Sequence, residues 1–134
     1  MTPPLLDTHT WIWWVDGNRR LAPRVLKRLD GLTNNQRPRL SAISLWEAAT
    51  LVSLGRLELR TSFDMWITRA AAATAIEILP ITPEIAMEVA RLPEAFRRDP
   101  ADRLIVATAR VHQLALATAD LVIQESKLVR IWKP

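Results

Sequence analysis

The chain contains no cysteine, which excludes a disulfide scaffold, thiolate metal sites and a cysteine nucleophile, and removes any need for an oxidising compartment. It has no tyrosine and only two histidines, His9 and His112. Lysine is scarce as well: of eighteen cationic residues only Lys27, Lys127 and Lys133 are lysines, and the rest are arginines. No apolar run is long enough to span a bilayer; the longest, Ala70 to Leu79, is broken by Thr74 and Glu77. No cationic segment precedes the first apolar residues, so the N-terminus does not read as a signal peptide and the cytoplasm is the expected compartment. Internal repeats and low-complexity tracts are missing too.

What is present is enough for one folded unit. With 134 residues, 49% of them hydrophobic and 24% charged, the composition excludes disorder as the main state and predicts a single domain over 1–134. A domain of this size buries roughly two-thirds of its unfolded surface, so a stable core is within reach. The formal charge of +4 is carried by an arginine excess, and arginine is a planar, bidentate donor to phosphate, which leans toward nucleic acid.

The segments alternate. Pro3 to Asp7 reads as a short buried strand ending at an acid, and Thr8 to Val15 as a helix closed by Asp16-Gly17-Asn18. Ala22 to Leu29 is a second helix and Leu32 to Pro38 a loop. Arg39 to Ile43 fits a second strand, followed by a helix from Ser44 to Leu54. Ser62 to Glu77 reads as the longest helix. Ile78 to Ile81 is a third strand whose Pro80 suits a strand end or a sheet edge. Thr82-Pro83 opens a helix to Leu92, and Asp99-Pro100 another to His112. Leu114 to Thr118 and Val129 to Trp132 complete about five strands. Alternation of this kind predicts a three-layer α/β/α sandwich around a parallel sheet, with its ligand site outside the carboxyl ends of the strands.

Four acids fall at those ends. Asp7 follows the first strand, Glu47 lies in the first turn of the helix after the second, Asp102 lies in the first turn of the helix that Asp99 opens, and Asp120 comes two residues after the fourth strand. Converging carboxylates without cysteine make an oxygen-rich site of the kind that suits Mg2+ or Mn2+. Such ions activate water and stabilise charge on a phosphodiester, so the pattern points to metal-dependent phosphodiester hydrolysis. Each acid also has a plainer reading. Ser44 to Glu47 and Asp99 to Asp102 both have capping-box spacing, and Asp7 and Asp120 can cap helices.

The same residues carry a family resemblance. Leu5-Leu6-Asp7-Thr8-His9, Ser41 to Ala48, Asp99 to Ala109 and Leu116-Ala117-Thr118-Ala119-Asp120 resemble, in order, the four motifs of PIN-domain ribonucleases, and among them the VapC-type toxins of toxin–antitoxin pairs. Leu51 to Leu59 and Leu79 to Glu84 are also similar to that subgroup. The resemblance implies a PIN-like fold and a Mg2+- or Mn2+-dependent endoribonuclease acting on single-stranded RNA. Asp7 and Asp102 would be the principal metal ligands, with Glu47 and Asp120 assisting. It also implies a homodimer silenced by a VapB-type antitoxin. Arg97 stands where relatives often have His, and Ala119 where they often have a polar or basic residue.

Further residues are candidates for substrate contact. Arg97, Arg98 and Arg103 flank Asp102 and could hold RNA phosphates, or form solvated ion pairs. Thr8, Ser44 and Thr118 neighbour the acids; Ser44 reads first as a helix cap. His9 and His112 read as structural, His112 at a helix end. Trp11, Trp13 and Trp14 crowd one short helix that cannot bury all three in one core, which suggests a partner surface or stacking on RNA bases. Two other classes compete: a phosphoacceptor domain, disfavoured because Asp7 has no acidic neighbour, and a noncatalytic α/β binding module whose acids only cap helices.

Overall fold

Two consecutive leucines divide the core. In the computed structural model, which describes residues 2–96 and 99–134, Leu5 and Leu6 form strand β1 (Leu5–Leu6) and are both fully buried, yet they belong to different hydrophobic clusters. Successive strand side chains point to opposite sheet faces, so a strand buried on both faces has no polar positions. The other strands behave alike. Leu40 of β2 (Arg39–Ser41) packs with Leu6, Leu79 of β3 (Glu77–Leu79) with Leu5, and β4 (Leu116–Ala117) sends Leu116 to one cluster and Ala117 to the other.

Helices cover both faces. Helix α1 (Thr8–Asp16), α2 (Pro23–Asp30) and α4 (Phe63–Ala70) contribute Trp11, Leu29 and Trp66 to the Leu6 side. On the Leu5 side α6 (Pro100–His112) contributes Ile105, Val106 and Ala109, and α7 (Leu121–Ser126) contributes Ile123. Helix α5 (Pro83–Arg91) packs along α6, and α3 (Ala42–Ser53) places Ala48 in the Leu6 cluster while Ile43 packs against the other. The three-layer α/β/α sandwich is therefore as expected from the alternation of segments.

All pairings are parallel, in the order β3-β2-β1-β4. The chain moves outward from β1 through β2 to β3 and then returns to the opposite flank for β4. A crevice opens beyond the carboxyl ends of strands where the order reverses in this way. Here that point lies between β1 and β4, with Asp7 just past one strand and Thr118 just past the other.

Three expectations need correction. The sheet has four strands among the described residues, and the fifth is reduced to one bridge between Ile131 and Leu116, held by Leu116 N–H to Arg130 O and Trp132 N–H to Leu116 O, each 2.8 Å. Helix α3 starts at Ala42, directly after β2, because the Ser41 hydroxyl caps it by accepting from Ile43 N–H. Ser44 is thus inside the helix and does not cap it. Helix α4 stops at Ala70, well short of Glu77. The Ala70 carbonyl, which a longer helix would use internally, accepts from Trp11 Nε1 at 2.9 Å, and the chain turns through Ala72 into β3. Pro80 falls just past β3, an edge strand, where its missing N–H does no harm.

Candidate active site

The crevice beyond β1 and β4 is a cleft of about 390 Å³. Asp7, Glu47, Asp102 and Asp120, scattered over more than a hundred positions of chain, all line it. Each arrives by its own route. Asp7 ends β1 and caps α1, accepting Thr10 N–H at 2.8 Å through Oδ1. Asp120 caps α7, accepting from Val122 and Ile123 N–H. Asp102 is held in the first turn of α6, its backbone N–H donating to the Asp99 carboxylate at 2.9 Å. Glu47 projects from the second turn of α3. Asp7 and Asp120 each cap a helix and line the cleft at once, as a carboxylate at a strand-to-helix junction can.

The hydroxyls act as struts between these acids. Thr118 donates through Oγ1 to Asp7 Oδ2, and the same oxygen accepts Asp120 N–H at 3.0 Å. Thr8 lines the cleft, its hydroxyl favours the charged form of Glu47, and it meets the Ser44 hydroxyl at 2.8 Å. In the Thr8–Ser44 pair either hydroxyl can be the donor. Ser44 is completely buried; it is a support for Thr8 and has no surface to offer a substrate.

Glu47 is the electrostatically perturbed member. Burial pushes its carboxyl above the usual 4.5, and repulsion from Asp99 and Asp7 acts in the same direction, against the Thr8 hydrogen bond and the attraction of His9. Negative charge is in excess in this cleft, whose cationic lining comes from Arg20 and, when protonated, His9. Asp99 adds a fifth carboxylate that the sequence reading assigned only to capping. Arg20 escaped notice because nothing in its local sequence points to the cleft. Its turn is shaped by Asn18, whose Oδ1 accepts Arg20 N–H at 2.8 Å.

The other candidates fall elsewhere. Arg103 turns away from the cleft and donates through Nη2 to the Val89 carbonyl on α5. Arg97 and Arg98 lie outside the described residues. His9 is exposed at the rim, its ring 5.9 Å from that of Trp13. His112 closes α6. The tryptophans diverge: Trp11 is fully buried against Trp66, Trp14 bonds Asp30 through Nε1, and Trp13 lines the cleft.

Among the described residues no three acidic or histidine side chains are gathered into a finished cation cage. The chemistry of the donor set still fits a hard divalent ion. The lining supplies carboxylate and hydroxyl oxygens, no sulfur, and an excess of acidic over basic side chains.

The fold and the family are shared with known proteins. Residues 5–126 match the model of the PIN domain. Over 123 residues the chain is 36% identical to Ribonuclease VapC22 of Mycobacterium tuberculosis (strain ATCC 25618 / H37Rv), covering 90% of this chain and 88% of that protein. Among solved structures, FitAcB from Neisseria gonorrhoeae superposes with a TM-score of 0.69 at 25% identity, over 97% of this chain and 96% of that one. VapBC2 from Rickettsia felis, bound to a DNA fragment from their promoter, has the same fold at a TM-score of 0.70, 14% identity and 96% coverage of both chains.

Proposed function

Because the chain belongs to the PIN-domain family, we propose that it is a Mg2+- or Mn2+-dependent endoribonuclease that hydrolyses phosphodiester bonds of single-stranded RNA. The observation that carries this reading is the convergence of Asp7, Glu47, Asp102 and Asp120 on one cleft, from four separate segments of chain. A noncatalytic module using acids only as caps has no reason to aim them at one another, since their repulsion is unfavourable.

Asp7 and Asp102 would hold the cation, with Glu47 and Asp120 completing its surroundings directly or through water. Bound there, a divalent ion lowers the pKa of water and stabilises charge on the phosphoryl oxygens. The protein's own part is orientation. Thr10 N–H and the Thr118 hydroxyl fix both oxygens of Asp7, so the carboxylate is aimed before any ligand arrives. Thr8, backed by Ser44, aims the Glu47 carboxylate. With Asp120, Glu47 would help orient the attacking water for displacement at phosphorus. Arg20 offers the cleft a guanidinium for a backbone phosphate.

The biological setting follows the relatives: the toxin of a toxin–antitoxin pair, acting as a homodimer and silenced by a VapB-type partner. The name of VapC22, the VapBC2 structure and the similar fold of a toxin-antitoxin complex from Klebsiella pneumoniae support the toxin–antitoxin part of this setting. No helix among the described residues is long and apolar enough to cross a membrane.

The test is incubation of the pure protein with a total RNA pool under Mg2+, Mn2+ and chelator, followed by sequencing of the new ends. Discrete metal-dependent cuts are expected. Metal-dependent cleavage that persists undiminished in Asp102→Asn overturns the proposal.

A further inference from the structure

A second cavity of about 560 Å³ adjoins the acidic cleft. The two share Trp13, Arg20 and Ala119 in their walls, so they are compartments of one depression. Their chemistry differs sharply. The acidic cleft is lined by five side-chain carboxylates, whereas the neighbouring cavity has no acidic side chain: its walls offer the Trp13 and Trp132 indoles, with Arg20 and Lys133 as cations and Pro134 at the edge. Trp132 is held to the sheet by its N–H bond to Leu116 O, and both indoles are only half-buried. Ala119, with its single methyl group, adds little bulk where the two walls meet.

We propose that this cavity is a nucleobase pocket for the nucleotide next to the scissile phosphate, with Trp13 and Trp132 as its stacking surfaces. The assignment rests on the RNA-cleaving reading above. In single-stranded RNA each phosphate is covalently bonded to a nucleotide, so a strand with its phosphate over the acids must send an adjacent base into a neighbouring compartment. Proteins hold unpaired bases by stacking them on aromatic faces and guanidinium planes, with cations tracking the backbone. The cavity provides this combination, and Arg20, common to both walls, is placed to meet the phosphate between the two compartments. The Gln124 amide, pinned through Nε2 to Thr118 O at 2.8 Å, adds a polar group in the wall that can read a base edge.

The test is an abasic scan. Fluorescein-labelled eight-nucleotide RNAs, intact or lacking one base at successive positions, are titrated by anisotropy onto the Asp102→Asn protein without added metal. The same titrations are repeated in that background with Trp132→Leu and with Trp132→Phe. Removing the base at one position should weaken binding roughly tenfold, Trp132→Leu should weaken intact RNA by a similar factor, and the two losses should not add. Trp132→Phe, which keeps an aromatic face, should restore most of the affinity and certify the fold. Additive losses, or equal binding of abasic and intact RNA at every position, overturn the pocket. A Trp132→Leu protein that binds RNA normally but loses affinity for an antitoxin peptide also overturns it, and makes the cavity a protein-docking groove. None of these outcomes depends on cleavage, which the metal and chelator experiment reads separately.

Discussion

Thr118 donates its hydroxyl hydrogen to Asp7 Oδ2, joining residues 111 positions apart in the chain. The contact crosses the crevice where the strand order reverses, and through Asp120 N–H the same oxygen engages the next acid. One side chain thus sets the spacing of two carboxylates.

Thr118→Val keeps the shape and removes both roles. Losing a hydrogen bond to a charged group destabilises by about 1.5–3 kcal/mol, and loss of a residue that orients a ligand lowers metal affinity or activity by about 10- to 100-fold. A thermal melt and a Mn2+ titration of cleavage should show both effects, with the rate partly recovered at high Mn2+. An unchanged metal dependence would make the contact purely structural.

Asp7 can be tested without losing the helix it caps. Asparagine caps as well as aspartate, so Asp7→Asn should keep α1 and a native circular dichroism spectrum while cleavage falls by about 1000-fold or more. Asp7→Ala should lose the cap as well, at a cost of about 1 kcal/mol. Comparing the two variants separates the charge from the cap.

Glu47 gives a pH dependence of known sign. Its folded-state pKa is raised, so the native protein binds more protons than the unfolded chain, and ionisation lowers stability as pH rises above 4.5. Glu47→Gln removes that penalty. Without metal it should raise stability at pH 7, and the advantage should vanish below the ordinary glutamate pKa. With Mn2+ the order should reverse, because the ion stabilises whichever native state binds it more tightly. Melts at pH 4 and 7 with and without Mn2+ check all three statements.

Trp11 tests the early end of α4. Its indole is fully buried and donates to Ala70 O. Trp11→Phe leaves that carbonyl without its partner and opens space beside Trp66, so a loss of about 2–4 kcal/mol is expected in urea unfolding. An effect below 0.5 kcal/mol would mean that the bond does not hold the turn.

The contrast between Ser41 and Ser44 shows where local reading reaches its limit. Both serines precede an apolar helical pattern, and the spacing from Ser44 to Glu47 imitates a capping box. The strand ends at Ser41 because Arg39 to Ser41 pair with Glu77 to Leu79, a partnership that neither segment displays locally. Once Ser41 caps α3, Ser44 is carried inward to Thr8 and Glu47 into the second turn. The overlong α4 has a similar origin, because its alanines favour helix until the Ala70 carbonyl is claimed by Trp11. Arg103 looked like a phosphate ligand from its position beside Asp102, yet it turns to α5, which packs along α6.

Alternation of apolar strands with amphipathic helices was enough to specify a parallel sheet between two helical layers, because burying both faces of such strands leaves few other arrangements. The motif acids were legible for a related reason, as polar residues at the ends of apolar runs stand out. Distance between them was not legible. Whether Asp7, Glu47, Asp102 and Asp120 meet depends on the strand order β3-β2-β1-β4, and parallel register is set by pairing across tens of residues. The hydroxyl struts, the fifth carboxylate and the place of Arg20 in the cleft wall appear only when that order brings separate chain segments to one crevice.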